Sequence, residues 1–329
     1  MSAKNYTILK VENLKVFFPV YRGIFFKRKI GTVKAVNGVS FTMNSGDSLG
    51  LAGESGCGKS TLARTLLRLS SPTAGNIYFK QQNITQLSEN KLRKIRTQLQ
   101  IIFQDPYASL NPRMTVFDIL AEPILEYRIV PQKLLLNKIS ELMNAVGLSP
   151  RLIKKYPHEF SGGQRQRVAI ARALSVSPQM LIADEPVSAL DVSIQAQILN
   201  LIADLQKRMG LTLLFISHNL AVVRYVCNKT AVMYAGRILE TGNSESIFSS
   251  PVHPYTKSLI EAVPVPDPTC RKQFSNIPKP TPLCHTHYTA GCAYYNRCSK
   301  KTDKCFKVRP ELRAVSNTHE NHFAACHYA

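Results

Sequence analysis

This 329-residue sequence predicts an α/β fold with a parallel sheet, and three observations carry the prediction. The stretches DSLGLAG (47–53), MLIAD (180–184) and LTLLFIS (211–217) are short and almost wholly apolar, as strands buried on both faces are. Between the last two lies SIQAQILNLIADLQKRM, with apolar residues at helical spacing, so the order is strand, helix, strand. A glycine-rich turn, GESGCGKS at 53–60, joins the first of these strands to another helical stretch.

The elements follow in order. TILKVENLKVFF (7–18) and VKAVNGVSFTM (33–43) alternate apolar and polar residues like half-buried strands, separated by a basic, aromatic loop, YRGIFFKRKIG. After the glycine turn, STLARTLLRLS reads as a helix stopped by Pro72 and Gly75. Residues 87–175 hold several helical stretches, LLLNKISELMNAVGL and QRQRVAIARALSV among them. KTAVMYAGRILETG (229–242) reads as a hairpin. Beyond about Ser250 the composition turns to Pro, His and Cys (SSPVHPYTKSLIEAVPVPDP), which predicts a C-terminal extension packed as a small separate unit.

Lysine and arginine number 42 against 21 acids, a formal net charge of +21, which favours an anionic partner such as nucleic acid or the inner membrane surface. The N-terminal stretch has no apolar core of signal-peptide length, and no apolar run reaches about 18 residues, so no transmembrane helix is expected. The expectation is a cytoplasmic chain held at a membrane only through a partner. In a reducing compartment its clustered cysteines read as metal ligands or redox groups before disulfides.

GESGCGKS fits the phosphate-binding pattern G-x-x-x-x-G-K-[ST], in the strand-to-helix context that the chemistry needs. Gly53, Gly56 and Gly58 let the backbone around Glu54, Ser55 and Cys57 curl until its N–H groups face a phosphate at the positive end of the helix. Lys59 reaches the β- and γ-phosphates, the Ser60 hydroxyl suits Mg²⁺, and Thr61 can touch the α-phosphate. Asp184, ending the MLIAD strand, can hold Mg²⁺ through water. Glu185 follows beyond the strand end, where a carboxylate can polarise an attacking water, which favours ATP hydrolysis over phosphoryl transfer to a substrate. His218 follows the LTLLFIS strand at the ligand-binding edge and reads as a γ-phosphate sensor. Gln104, in IIFQDP, also ends an apolar run and can reach the metal and the water.

Together these residues resemble the nucleotide-binding subunits of ABC transporters. The decisive stretch is FSGGQRQRVAIARAL (160–174), which resembles the family's signature with Phe160 where leucine is commoner. SALD (188–191), ending on Asp191, resembles the D-loop, and Gln104 and His218 fall at the Q-loop and H-loop positions. The resemblance implies a RecA-like core with an antiparallel β subdomain and an α-helical subdomain. It places the nucleotide-binding domain at 1–250, its helical part at about 105–175, and the extension at 251–329. SGGQ opens a helix, so Ser161, Gly162, Gly163 and Gln164 offer a second phosphate-binding surface in a chain with one P-loop. The family arrangement this implies is a head-to-tail dimer sandwiching ATP between one subunit's P-loop and the other's signature. The family also stacks adenine on an aromatic, at a position near Ile30 here; Tyr21, Phe25 and Phe26 stand in the neighbouring loop.

FQDPYASLNPRMTV, ADEPVSALDVSIQAQILNLI and SPVHPYTKSLIEAVP are similar to the ATPases of dipeptide and oligopeptide importers, especially the second (F-type) subunit. The implied partners are a second ABC ATPase subunit (hetero- or homodimer), two integral-membrane permeases and, indirectly, an extracytoplasmic peptide-binding protein, with no nucleic acid. The implied place is the cytoplasmic face of the cell membrane. Nickel importers share the group, and a soluble ABC ATPase acting on nucleic acid is a further reading that the charge would suit. A P-loop kinase or GTPase is disfavoured by the signature and by the lack of a guanine-reading NKxD.

The tail GCAYYNRCSKKTDKC carries Cys292, Cys298 and Cys305, with Cys326 following. It resembles the importer ATPases' C-terminal extension, some of which hold a [4Fe–4S] cluster on four such cysteines, with zinc as the alternative. Cys284, His285 and His287 are substitute ligands, whereas Cys57 and Cys227 stand outside the group. Unligated or partly paired cysteines in a small proline-rich cap remain the plain alternative. The tail reads as a regulatory or structural appendix, remote in sequence from the ATP chemistry.

Overall fold

The computed structural model describes residues 6–23, 28–263, 290–315 and 321–329. Phe25, Phe26, Cys284, His285 and His287 lie outside the described residues. The chain divides into two compact units.

One unit is formed chiefly by Gln86–Ile216, with Met43–Ser48 and the residues up to Ile8. Its strands Leu99–Ile102, Met180–Asp184 and Thr212–Ser217 are parallel, with Met180 in the middle strand opposite both Leu99 and Thr212. The two longer strands are buried along their whole length, which explains why they read as unbroken apolar runs rather than alternating ones. The helices include Val116–Glu126, Leu135–Ala145, Gly162–Leu174 and Val192–Met209. Val116–Glu126 starts on a reciprocal cap: the Asp118 N–H donates to Thr115 Oγ1 at 3.2 Å, and the Thr115 N–H donates to the Asp118 carboxylate at 3.1 Å.

The other unit comprises Leu9–Thr42, Leu49–Thr85 and Ser217–Ala329. Thr7–Arg22 pairs antiparallel with Ala74–Phe79, which pairs antiparallel with Gln82–Asn83; Arg28–Asn44 flanks the first of these. The basic loop between the two long strands is therefore shorter than the sequence suggests, because both strands run into it. Ser48–Ala52 pairs in parallel with Lys229–Tyr234, and Arg237–Asn243 completes the predicted hairpin with a bulge after Ile238.

The C-terminal residues belong to this same unit. Phe323–Ala324 adds antiparallel to Arg237–Asn243, and Arg313–Ala314 adds to Phe323–Ala324. Cys292, Tyr294, Cys305 and Ala325 share one apolar cluster with Val232, Tyr234, Leu239 and Tyr255. Each large side chain buried there contributes about 1.5–3 kcal/mol. A buried polar knot reinforces the joint: Glu240, fully buried, accepts the Val252 N–H at 2.8 Å and the His253 N–H at 2.9 Å, and meets His322 Nε2 at 2.7 Å.

Candidate functional site

The glycine loop leaves the buried strand Ser48–Ala52 and enters the helix Lys59–Leu66. Gly58, the residue preceding that helix, has φ 107°, and a Cβ there would collide with the Ala35 carbonyl oxygen. Only glycine serves at that point. Lys59 is 4% exposed and lies back across the loop, donating to the Gly53 carbonyl at 2.7 Å and the Glu54 carbonyl at 3.0 Å. Cys57 is fully buried; burial pushes its thiol up, opposed by the Lys59 charge. The Cys57 carbonyl accepts the Gly236 N–H at 2.9 Å, which ties the loop to the turn after Lys229–Tyr234. Ser55 and Gly56 are exposed at the loop's crest, and Ser60 and Thr61 are half-buried in the first helical turn. His218, exposed, belongs to this unit and precedes Asn219, whose side chain caps Leu220–Val226 by accepting the Ala221 N–H at 2.9 Å.

Two residues that the sequence reading did not single out complete this loop. The Glu54 N–H donates to the hydroxyl of Tyr255, a fully buried side chain, at 3.0 Å. The Glu54 carboxylate takes a hydrogen bond from Arg297 Nη1 at 2.8 Å. Arg297 lies within the cysteine-bearing tail, so the appendix touches the loop directly. No local pattern marks it: YYNRC has no period or motif that assigns its arginine a partner 243 residues earlier.

In the other unit, Asp184 ends its strand 2% exposed. Glu185 turns out of the strand at φ 48°, a left-handed conformation unusual for glutamate, with its N–H bonded to the Ile216 carbonyl at 3.0 Å. Gln104 Nε2 donates to the Glu185 carboxylate at 3.3 Å, so two residues 81 apart in sequence stand in contact. Ser161 and Gln164 cap the Gly162–Leu174 helix reciprocally: Ser161 Oγ accepts the Gln164 N–H at 3.3 Å, and Gln164 Oε1 accepts the Ser161 N–H at 3.0 Å. A Cβ on Gly163 would crowd Ile194. Asp191 precedes the Val192–Met209 helix that carries Ile194. From the same Gly162–Leu174 helix Arg172 donates to the Ser109 carbonyl at 2.6 Å, linking it to the segment that follows Gln104.

Around the tail, Cys292, Cys298, Cys305 and Cys326 all line one small cavity of about 30 Å³. Burial pushes the Cys292 thiol up to about 11 and the Cys326 thiol upward. Among the described residues no group of three or more His, Cys, Asp or Glu has the arrangement to hold a metal ion. Of the adenine-stacking positions, Tyr21 and Ile30 are exposed, at 55% and 58%, near the ends of their strands.

The ABC transporter family matches residues 36–188, and the oligopeptide/dipeptide transporter C-terminal region matches residues 239–305. The oligopeptide transport ATP-binding protein AppF of Bacillus subtilis (strain 168) is 46% identical, covering 99% of this chain and 98% of its own length. The di/tripeptide transport ATP-binding protein DppF of Pseudomonas aeruginosa (strain UCBPP-PA14) is 45% identical, with 98% of each chain covered. Among solved structures, the ATP-binding cassette MJ0796, a dimer in a post-hydrolysis state bound to ADP and Pi, superposes with TM-score 0.63 at 27% identity, over 72% of this chain and 99% of that one. CbiO1 of Clostridium perfringens, part of the cbiONQ transporter complex, gives 0.64 at 28% identity, over 75% and 92%. The chain belongs to the ABC transporter family, among its ATP-binding proteins, and has that family's P-loop ATPase fold. Among the described residues no helix is long and apolar enough to cross a membrane.

Proposed function

We propose that the chain binds and hydrolyses ATP to drive an ABC importer for di- or oligopeptides. The observation that carries this is full-length similarity to peptide-transport ATP-binding proteins, joined to the Gln104–Glu185 contact at the end of the Met180–Asp184 strand. Residues 1–250 carry the nucleotide chemistry and 251–329 the appendix.

In this reading, Gly53 to Thr61 hold the phosphates and Lys59 faces the β- and γ-phosphates. Ser60, Gln104 and Asp184 offer hard oxygen atoms of the kind Mg²⁺ takes, and the ion, when bound, offsets phosphate charge. Glu185 is the general base for the attacking water. Its backbone is left-handed just beyond the strand end, and Gln104 donates to one of its carboxylate oxygens. His218 senses the γ-phosphate. Ser161, Gly162, Gly163, Gln164 and Asp191 face the nucleotide of a partner subunit, another ABC ATPase in a homo- or heterodimer. That dimer works at the cytoplasmic face of the membrane on two permease subunits, served by an extracytoplasmic peptide-binding protein. ATP binding closes the dimer and hydrolysis reopens it.

Four thiols round one cavity are a donor set that a [4Fe–4S] cluster or zinc accepts, although the thiols as described would have to close in to ligate either. Iron, sulfide and zinc assays on the anaerobically purified chain decide this, and a metal-free protein ends it.

The ATPase reading is tested by Glu185→Gln, which is expected to leave ATP binding intact and to lower turnover by about 10²-fold or more. Hydrolysis near the wild-type rate would contradict the general-base role.

A further inference from the structure

We infer that Arg297 of the cysteine-bearing appendix is a positioning residue for the ATP loop, one that neutralises the Glu54 carboxylate so that the loop can accept a triphosphate. The inference rests on the ATP-binding reading above and adds a residue that no motif assigns.

The P-loop gathers N–H dipoles and a lysine to attract a polyanion, yet the chain places a carboxylate, Glu54, immediately after its first glycine. A bare carboxylate there would oppose the attraction, because like charges a few ångströms apart repel strongly where water is partly excluded. Burial is the main cause that pushes the neighbouring Cys57 thiol up; Lys59 pulls it down, and the Glu54 charge adds a smaller upward push. Glu54 is held at three points. Its carbonyl accepts from Lys59 at 3.0 Å, its N–H donates to Tyr255 at 3.0 Å, and its carboxylate meets Arg297 at 2.8 Å.

Arg297 is built for this contact. Its side chain is 13% exposed, and that of Glu54 is 33% exposed, so the pair is shielded well beyond an ordinary surface ion pair. The guanidinium also lies over the rings of Tyr234, at 5.8 Å, and Tyr294, at 5.7 Å. Those rings belong to the cluster that contains Cys292 and Cys305, and Arg297 adjoins Cys298 in sequence. The packing of the cysteine module thus sets where the arginine stands. The hydrogen bond to Glu54 is also the main cause holding the guanidinium's pKa above its usual value.

The test is a double-mutant cycle on the full chain, reading Mg-ATP affinity by calorimetry and kcat and KM by phosphate release. Arg297→Gln is expected to weaken ATP binding about fivefold or more and to raise KM by the same factor, with kcat within about twofold of wild type. Adding Glu54→Gln removes the exposed carboxylate, so the double variant is expected to return to within about twofold of wild type. Arg297→Lys keeps the charge and is expected to bind ATP nearly normally. A merely structural arginine would show no such rescue. Arg297→Gln binding ATP like wild type, or a double variant as weak as Arg297→Gln alone, would overturn the proposal. A wild-type chain that binds no ATP would instead overturn the ATPase reading, and this inference with it.

Discussion

Glu54 shows how much of an active loop a sequence motif leaves unsaid. The pattern G-x-x-x-x-G-K-[ST] treats position 54 as any residue, because the loop's chemistry runs through backbone N–H groups and Lys59. Gly53, Gly56, Gly58, Lys59 and Ser60 can be proposed for phosphate from the sequence for that reason: each residue type suits the local geometry or charge that the loop needs. Tyr255 and Arg297 were not legible, because their roles depend on partners about 200 residues or more away. Tyr255 gives a residue-scale prediction. Tyr255→Phe keeps the ring in the core but leaves the Glu54 N–H without its acceptor, and is expected to cost about 1–2 kcal/mol of stability. Urea unfolding checks this, and an unchanged midpoint would show that the hydroxyl does nothing for the loop.

Among the elements, the buried strands were the most legible. The apolar run MLIA with Asp184 at its end coincides with the strand Met180–Asp184, since a strand covered on both faces shows as an unbroken apolar run. The long first strands were less so: alternation marks a half-buried strand but says little about how far it extends past its buried half. The C-terminal segment was opaque for another reason. Two-residue strands such as Phe323–Ala324 have no period; they are held by pairing on both sides, and the neighbouring His322 meets Glu240 in the interior.

His253 gives this region a pH dependence. Buried against Tyr294, beside the cavity that the thiols line, and with its backbone N–H on Glu240, it is pulled down from 6.5 to about 4 by burial. Its Nδ1 accepts the Tyr255 N–H at 3.1 Å, a role suited to the neutral ring. The unfolded chain therefore binds the proton more readily between those values, so the contribution is whole above about pH 6.5 and is lost as pH falls toward 4. The loss amounts to as much as about 3 kcal/mol. His253→Asn keeps a helix-capping acceptor without the titration. Unfolding between pH 7 and 4.5 is expected to show a smaller loss of stability in the variant, and equal losses would assign the acid sensitivity elsewhere.

At the scale of the whole molecule, the residues proposed for the chemistry are divided between the two units: Gly53–Thr61 and His218 fall in one, and Asp184, Glu185, Gln104 and the Gly162–Leu174 helix in the other. The motif set was enough to read this as an ABC ATPase, because the P-loop (53–60), the signature (160–174), the MLIAD strand (180–184) and SALD (188–191) follow one another in that order along the chain. The sequence does not give the transported solute, since no residue of an ATPase subunit need touch it; only the peptide class comes from the resemblance. The basic excess of +21 fits a protein working beside an anionic membrane surface. The most direct test is ATP-dependent uptake of labelled di- and oligopeptides by membrane vesicles that contain the chain with its permeases and binding protein. The account predicts uptake that requires ATP and collapses when Glu185→Gln replaces the wild type; peptide uptake that survives that substitution undiminished would contradict it.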